Sequence, residues 1–216
     1  MKNTIDRRDF IKTAGATALA MSPIGLLSGC GRRKESEAVQ TQQAGEMTYR
    51  TNKAKNDKVS ILGYGCMRWP MKKNEEGKDI IDQEKVNELI DYALEKGVNY
   101  FDAAPVYLQG QCEAATGEAL SRHPRESYFV ATKLSNFNDA SRAEGIRMYK
   151  ASLEAFRTDY LDYYLLHSIK NAATFTKRFV DNGLIDFLME ERKAGRIRNL
   201  GFSFHGSKEG FDELMS

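Results

Sequence analysis

The chain of 216 residues has little cysteine: Cys30, Cys66 and Cys112 only. No two of them stand at metal-knuckle spacing, three scattered thiols build no disulfide framework, and they cannot together supply four thiolates to an iron–sulfur cluster. Long charge runs of one sign are also missing, with 32 basic and 30 acidic side chains intermixed. The basic run Arg32-Arg33-Lys34 lies in a polar stretch, which favours a solvated or membrane-surface role over nucleic-acid binding. The apolar run in the first thirty residues is too short and Gly-rich to span a bilayer as a mature helix. Neither a metal cluster nor paired carboxylates mark a hydrolase site. The turn Gly63-x-Gly65 lacks a third glycine at dinucleotide-fingerprint spacing, which argues against a Rossmann fold.

What is present begins with a segmented N-terminus. Asp6-Arg7-Arg8-Asp9-Phe10-Ile11-Lys12 precedes a weakly apolar stretch ending Leu27-Ser28-Gly29-Cys30. Paired arginines followed by Phe-Ile-Lys resemble a twin-arginine export signal. The ending resembles a lipoprotein cleavage box, with Cys30 as the lipidated residue. A short amphipathic helix is the plainer alternative. Residues 31–57 carry almost no large apolar side chains and read as a tether, because they cannot bury enough surface to offset their ordering entropy. The expected organisation is a signal over 1–30, a flexible tether over 31–57 and a folded part over 58–216. Its expected location is the cell envelope, outside the cytoplasm, anchored to a membrane by lipid.

From Val59 onward, strand and helix patterns alternate. The sequence predicts strands over 59–67, 98–102, 127–132, 161–166 and 197–203. Helices are predicted over 84–96, 113–121, 142–157 and 174–194, and a last one begins near Ser207. Helix 84–96 places Val86, Leu89, Ile90, Ala93 and Leu94 on one face. This alternation predicts a parallel sheet covered by helices, either an open doubly wound sheet or a (β/α)8 barrel.

Asp102, Lys133 and His167 fall at the ends of three consecutive predicted strands, and Tyr107 lies in the loop after the first. Each has a plain alternative: a cap, a solvated lysine, a satisfied loop histidine, a packing tyrosine. Together they favour a barrel, whose strand ends share one chemically active face. Charged groups directly after buried strands must pair or act.

The stretches "FDAAPVYLQGQCEAATGEAL" (101–120), "VATKL" (130–134), "DYYLLHS" (162–168), "RIRNLGFSFH" (196–205) and "LGYGCMRWP" (62–70) resemble the aldo-keto reductase family. With the export signal, the chain is similar to a bacterial lipoprotein branch of that family, whose members often carry an iron–sulfur domain near the C-terminus. The resemblance implies an oxidoreductase that reduces small carbonyls, or oxidises alcohols, with NAD or NADP. Tyr107 would be the general acid, Lys133 would acidify it, Asp102 would hold Lys133, and His167 would align the carbonyl. A free phenol titrates near ~10, and a neighbouring ammonium favours its anion. Backbone near Gly65, Cys66 and Met67 would lie against the nicotinamide, with Ser203 on its carboxamide. Phe204 replaces an asparagine common in the family, and His205, which follows it, is counted among the cofactor-binding residues. Cys112 stands where serine is common and reads as structural.

Five strand–helix units fill 58–216, whereas a complete barrel takes about 250 residues. The sequence therefore reads as an incomplete barrel, a C-terminally truncated product or fragment. An iron–sulfur centre in a missing C-terminal segment would suit an exported enzyme that receives electrons from a partner protein. The competing expectation is a non-catalytic binding or regulatory lipoprotein.

Overall fold

Residues 46–53, 55–138 and 140–216 are described by the structure, a computed structural model. The expected signal, Cys30 and most of the tether lie outside these residues. The expected tether does not run to residue 57, because β1 (Tyr49–Asn52) pairs antiparallel with β2 (Asp57–Ser60). Side-chain contacts fasten this polar stretch to the fold. Met47 packs against the core, and the Tyr49 hydroxyl donates to the carbonyl of Gly97 at 2.9 Å.

The single strand expected over 59–67 is two strands in different sheets. β2 ends at Ser60, and β3 (Tyr64–Gly65) opens the main sheet. A second hairpin, β4 (Met71–Lys73) with β5 (Asp79–Ile81), follows. The Asn74 carboxamide closes it by accepting from the backbone N–H of Glu76 and Lys78. The alternating pattern gave no sign of either hairpin.

The remaining elements follow the predicted order. They are α1 (Gln83–Glu95), β6 (Tyr100–Asp102), α2 (Cys112–Leu120), β7 (Phe129–Leu134), α3 (Arg142–Ala155) and β8 (Leu161–Ile169). The helix expected over 174–194 is broken into α4 (Ala172–Phe175), a π-helical turn at Thr176–Val180 and α5 (Leu184–Lys193). Gly183, at φ +70°, makes the break, since a side chain there would be strained. Then come β9 (Ile197–Phe204) and α6 (Lys208–Met215).

The main sheet has the order β3-β6-β7-β8-β9, all parallel, with helices in the crossovers. This is the expected α/β architecture, five strand–helix units of a (β/α)8 barrel. Phe101, Val130, Leu161, Tyr164, Leu166 and Ile197 of the strands are buried with Val86 and Ile90 of α1, Leu120 of α2, Tyr149 of α3 and Leu188 of α5. At 25 cal/mol per Å² of apolar surface, each large side chain buried here contributes about 1.5–3 kcal/mol. Packing is close where α2 meets the end of α3. A Cβ on Gly117 would stand 2.1 Å from the carbonyl oxygen of Ala155. Because the strands are parallel, the C-terminal ends of β6, β7, β8 and β9 share one edge.

Candidate active site

β6 ends on Asp102, and β7 places Lys133 one strand over. Two of the boundaries differ from expectation. Lys133 lies inside β7 rather than after it, and β8 runs through His167 to Ile169. The strand persists there through an irregularity between Leu166 and Ile169, with Ser168 in the left-handed region at φ +56°.

The Lys133 side chain is almost wholly buried. Its ammonium donates to Asp102 Oδ1 at 2.5 Å and to the carbonyl of Ala103 at 2.7 Å. It also stands 5.0 Å from the centre of the Tyr107 ring. A buried ammonium needs such partners, since desolvation disfavours an isolated charge. Tyr107 begins a tight turn, Tyr107–Gly110, after β6, in which Leu108 and Gln109 take positive φ. Its ring meets the imidazole of His167 edge-on, centroids 6.0 Å apart and planes at 83°. The four residues expected to converge, Asp102, Tyr107, Lys133 and His167, are therefore neighbours at one rim.

His167 Nδ1 is hydrogen-bonded to Ser135 Oγ at 2.6 Å. Burial, followed by the charges of Lys133, Arg178 and His205, pushes the imidazole down to about 4, so it is neutral near pH 7. Phe137 packs on this ring at 5.1 Å and is itself about half exposed. Ser135 and Phe137 were not anticipated. The two-residue alternation from Lys133 does point to Ser135, whereas nothing local marks Phe137.

The residues expected to hold a nicotinamide divide. Gly65 is exposed, with no atom within 4 Å of where a Cβ would lie, and Met67 is exposed beside it. Ser203 Oγ accepts from the backbone N–H of Ser168 at 2.8 Å and keeps its own O–H to donate. The exposed His205 is tied to β8 through its backbone N–H, which donates to the carbonyl of Ile169. Cys66 was expected to contribute backbone, and its side chain turns inward. It is wholly buried, and its carbonyl accepts from Cys112 Sγ at 3.2 Å, so its side chain serves the core. Burial raises both thiols, Cys112 to about 11, which leaves them unreactive. Phe204, in place of asparagine, packs edge-on against Phe211 of α6. Among the described residues, no group of His, Cys, Asp and Glu could hold a metal, and no helix is long and apolar enough to cross a membrane.

A parallel strand–helix array with an ion-paired lysine, a tyrosine and a neutral histidine at its C-terminal edge has the layout of a barrel oxidoreductase. Residues 61–210 match the family model described as the Aldo/keto reductase family. The chain belongs to that family. It is 31% identical over 156 residues to "Probable aldo-keto reductase 1" of Glycine max, covering 67% of this chain and 41% of that protein. It is 34% identical over 109 residues to "Methylglyoxal reductase YeaE" of Escherichia coli, covering 50% and 36%. Among solved structures, aldo-keto reductase AKR11C1 from Bacillus halodurans, in its holo form, superposes with a TM-score of 0.58 at 30% identity, over 74% of this chain and 51% of that one. The chain thus spans less than half the length of these curated relatives and about half that of the solved one.

Proposed function

We propose that the chain carries the proton-donating half of a carbonyl reductase site that uses NADPH or NADH to reduce small carbonyl compounds, and runs in reverse on alcohols. One observation carries this reading: the Lys133 ammonium, fixed by Asp102, stands beside the Tyr107 ring, which faces a neutral His167. The relative named for methylglyoxal reduction supports the substrate class.

The reduced nicotinamide supplies a hydride for the carbonyl carbon. Gly65, Met67 and Ser203 would hold it, the first through open space and the last through its unused O–H. Tyr107 gives its hydroxyl proton to the carbonyl oxygen, so hydride and proton together complete the alcohol. Lys133 stabilises the phenolate left behind, and solvent returns the proton. His167 donates from Nε2 to the carbonyl oxygen, in the tautomer whose Nδ1 accepts from the Ser135 hydroxyl.

The test is to mix the full chain with reduced nicotinamide nucleotide and methylglyoxal and to follow nucleotide oxidation. Turnover dependent on the carbonyl supports the reading. Nucleotide binding without turnover favours the non-catalytic role instead. Export and lipidation at Cys30 are proposed from Arg7-Arg8 and Leu27-Ser28-Gly29-Cys30 alone. A Cys30→Ala chain expressed in a bacterium should leave the membrane fraction. Retention there would overturn lipidation.

A further inference from the structure

We propose that Arg178 is a positioning residue for His167: its guanidinium clamps the backbone that carries the imidazole and places a fixed cation behind the ring. The proposal rests on the reading of this rim as a carbonyl-reducing site.

Arg178 is only 9% exposed and sits on the π-helical turn Thr176–Val180, a local distortion that costs regular helix bonding. It donates to the carbonyls of His167 at 2.7 Å and Ser168 at 3.4 Å, and to Asn136 Oδ1 at 2.9 Å. All three acceptors are neutral. Among the described residues no carboxylate pairs with it, and its buried Nε has no acceptor. Buried arginines ordinarily sit against an acid, because an uncompensated charge in the interior is costly. Burial accordingly pulls the guanidinium down to about 10.

Two features point that cost at His167. First, the clamped carbonyls belong to His167 and Ser168, and Ser168 holds a left-handed conformation that serine adopts only when its surroundings impose it. The amide of Asn136 completes the clamp by donating to the Arg178 carbonyl at 3.2 Å. Second, the Phe137 ring lies against both groups, 4.7 Å from the guanidinium and 5.1 Å from the imidazole, and shields them together from water. A bridge needed only for folding would be served by a neutral amide. The charge has a purpose beside a histidine that must stay neutral for Nδ1 to accept from Ser135 while Nε2 donates. The other groups facing His167 are the Lys133 ammonium from β7, the Tyr107 ring, the Ser135 hydroxyl and His205 after β9.

The test is nitrogen-15 NMR of the histidines in the full chain, with His167 identified by loss of its signals in H167Q. In the wild type, His167 should remain neutral down to about pH 4. In R178Q, which keeps an amide but loses the charge, its midpoint should rise measurably, by less than the effect of burial or of Lys133. R178K should hold the midpoint near that of the wild type. A folded R178Q with an unshifted midpoint overturns the proposal. Should R178Q fail to fold, a wild-type midpoint near 6.5 overturns it equally. In turnover, R178Q should lower kcat/KM for methylglyoxal about tenfold with unchanged nucleotide Kd, and R178K should recover part of the loss. Equal kcat/KM in R178Q also overturns the proposal. If the wild type reduces no carbonyl, the reading of the rim falls and the titration alone decides the role of Arg178.

Discussion

Replacing Lys133 with Met keeps the length of the side chain and removes its charge. The side chain is 7% exposed, and its ammonium makes two hydrogen bonds, to Asp102 and to the Ala103 carbonyl. Breaking a fully buried ion pair costs about 3–5 kcal/mol. The Asp102 side chain, however, is 31% exposed, so water recovers part of its solvation. The wholly buried Ala103 also loses its donor, which costs about 1–3 kcal/mol. Against both stands the relief of no longer burying an ammonium. The balance is a net destabilisation of about 1–3 kcal/mol, and for a domain of this size each kcal/mol moves Tm by roughly 2–4 °C. Lys133→Met should therefore lower Tm by several degrees in a calorimetric scan. Adding Asp102→Asn should restore part of that loss, because no lone carboxylate remains. A single variant as stable as the wild type, or a double variant less stable than the single, would refute the reasoning.

His167 yields a pH signature. Its folded-state value, about 4, lies below its ordinary 6.5, so the unfolded chain binds the extra proton between those limits. Stability must fall as pH drops from about 6.5 to 4, by up to ~3 kcal/mol, and His167→Gln should flatten that slope in denaturant titrations. Gly117→Ala should destabilise by about 1–3 kcal/mol, because its methyl would strike the Ala155 carbonyl and only a shift of α2 against α3 relieves the clash. Thermal melts of this variant check the packing independently of the active site.

The sequence made the βα order readable because period and punctuation agreed. Apolar spacing marked α1, glycines followed α1 and α5, and the strands were short and apolar. The hairpins were hidden because individual side chains hold them, Tyr49 on Gly97 and Asn99 on β2 for the first and Asn74 for the second, which leave no period. The broken helix after β8 was hidden because its apolar face continues through the π turn, although Asn182-Gly183 marked its end. At the rim, Asp102, Tyr107, Lys133 and His167 were visible as titratable groups near strand ends. Arg178 was not, since a lysine–arginine pair within a helical pattern ordinarily reads as a solvated face.

Tyr107→Phe removes one hydroxyl and leaves the ring beside Lys133 and His167. Nucleotide affinity and carbonyl turnover, measured side by side in wild type and this variant, give the sharpest test of the site. Turnover should fall by about 10²–10⁴-fold while nucleotide affinity is kept. Turnover equal to that of the wild type would contradict the role of the phenol as proton donor.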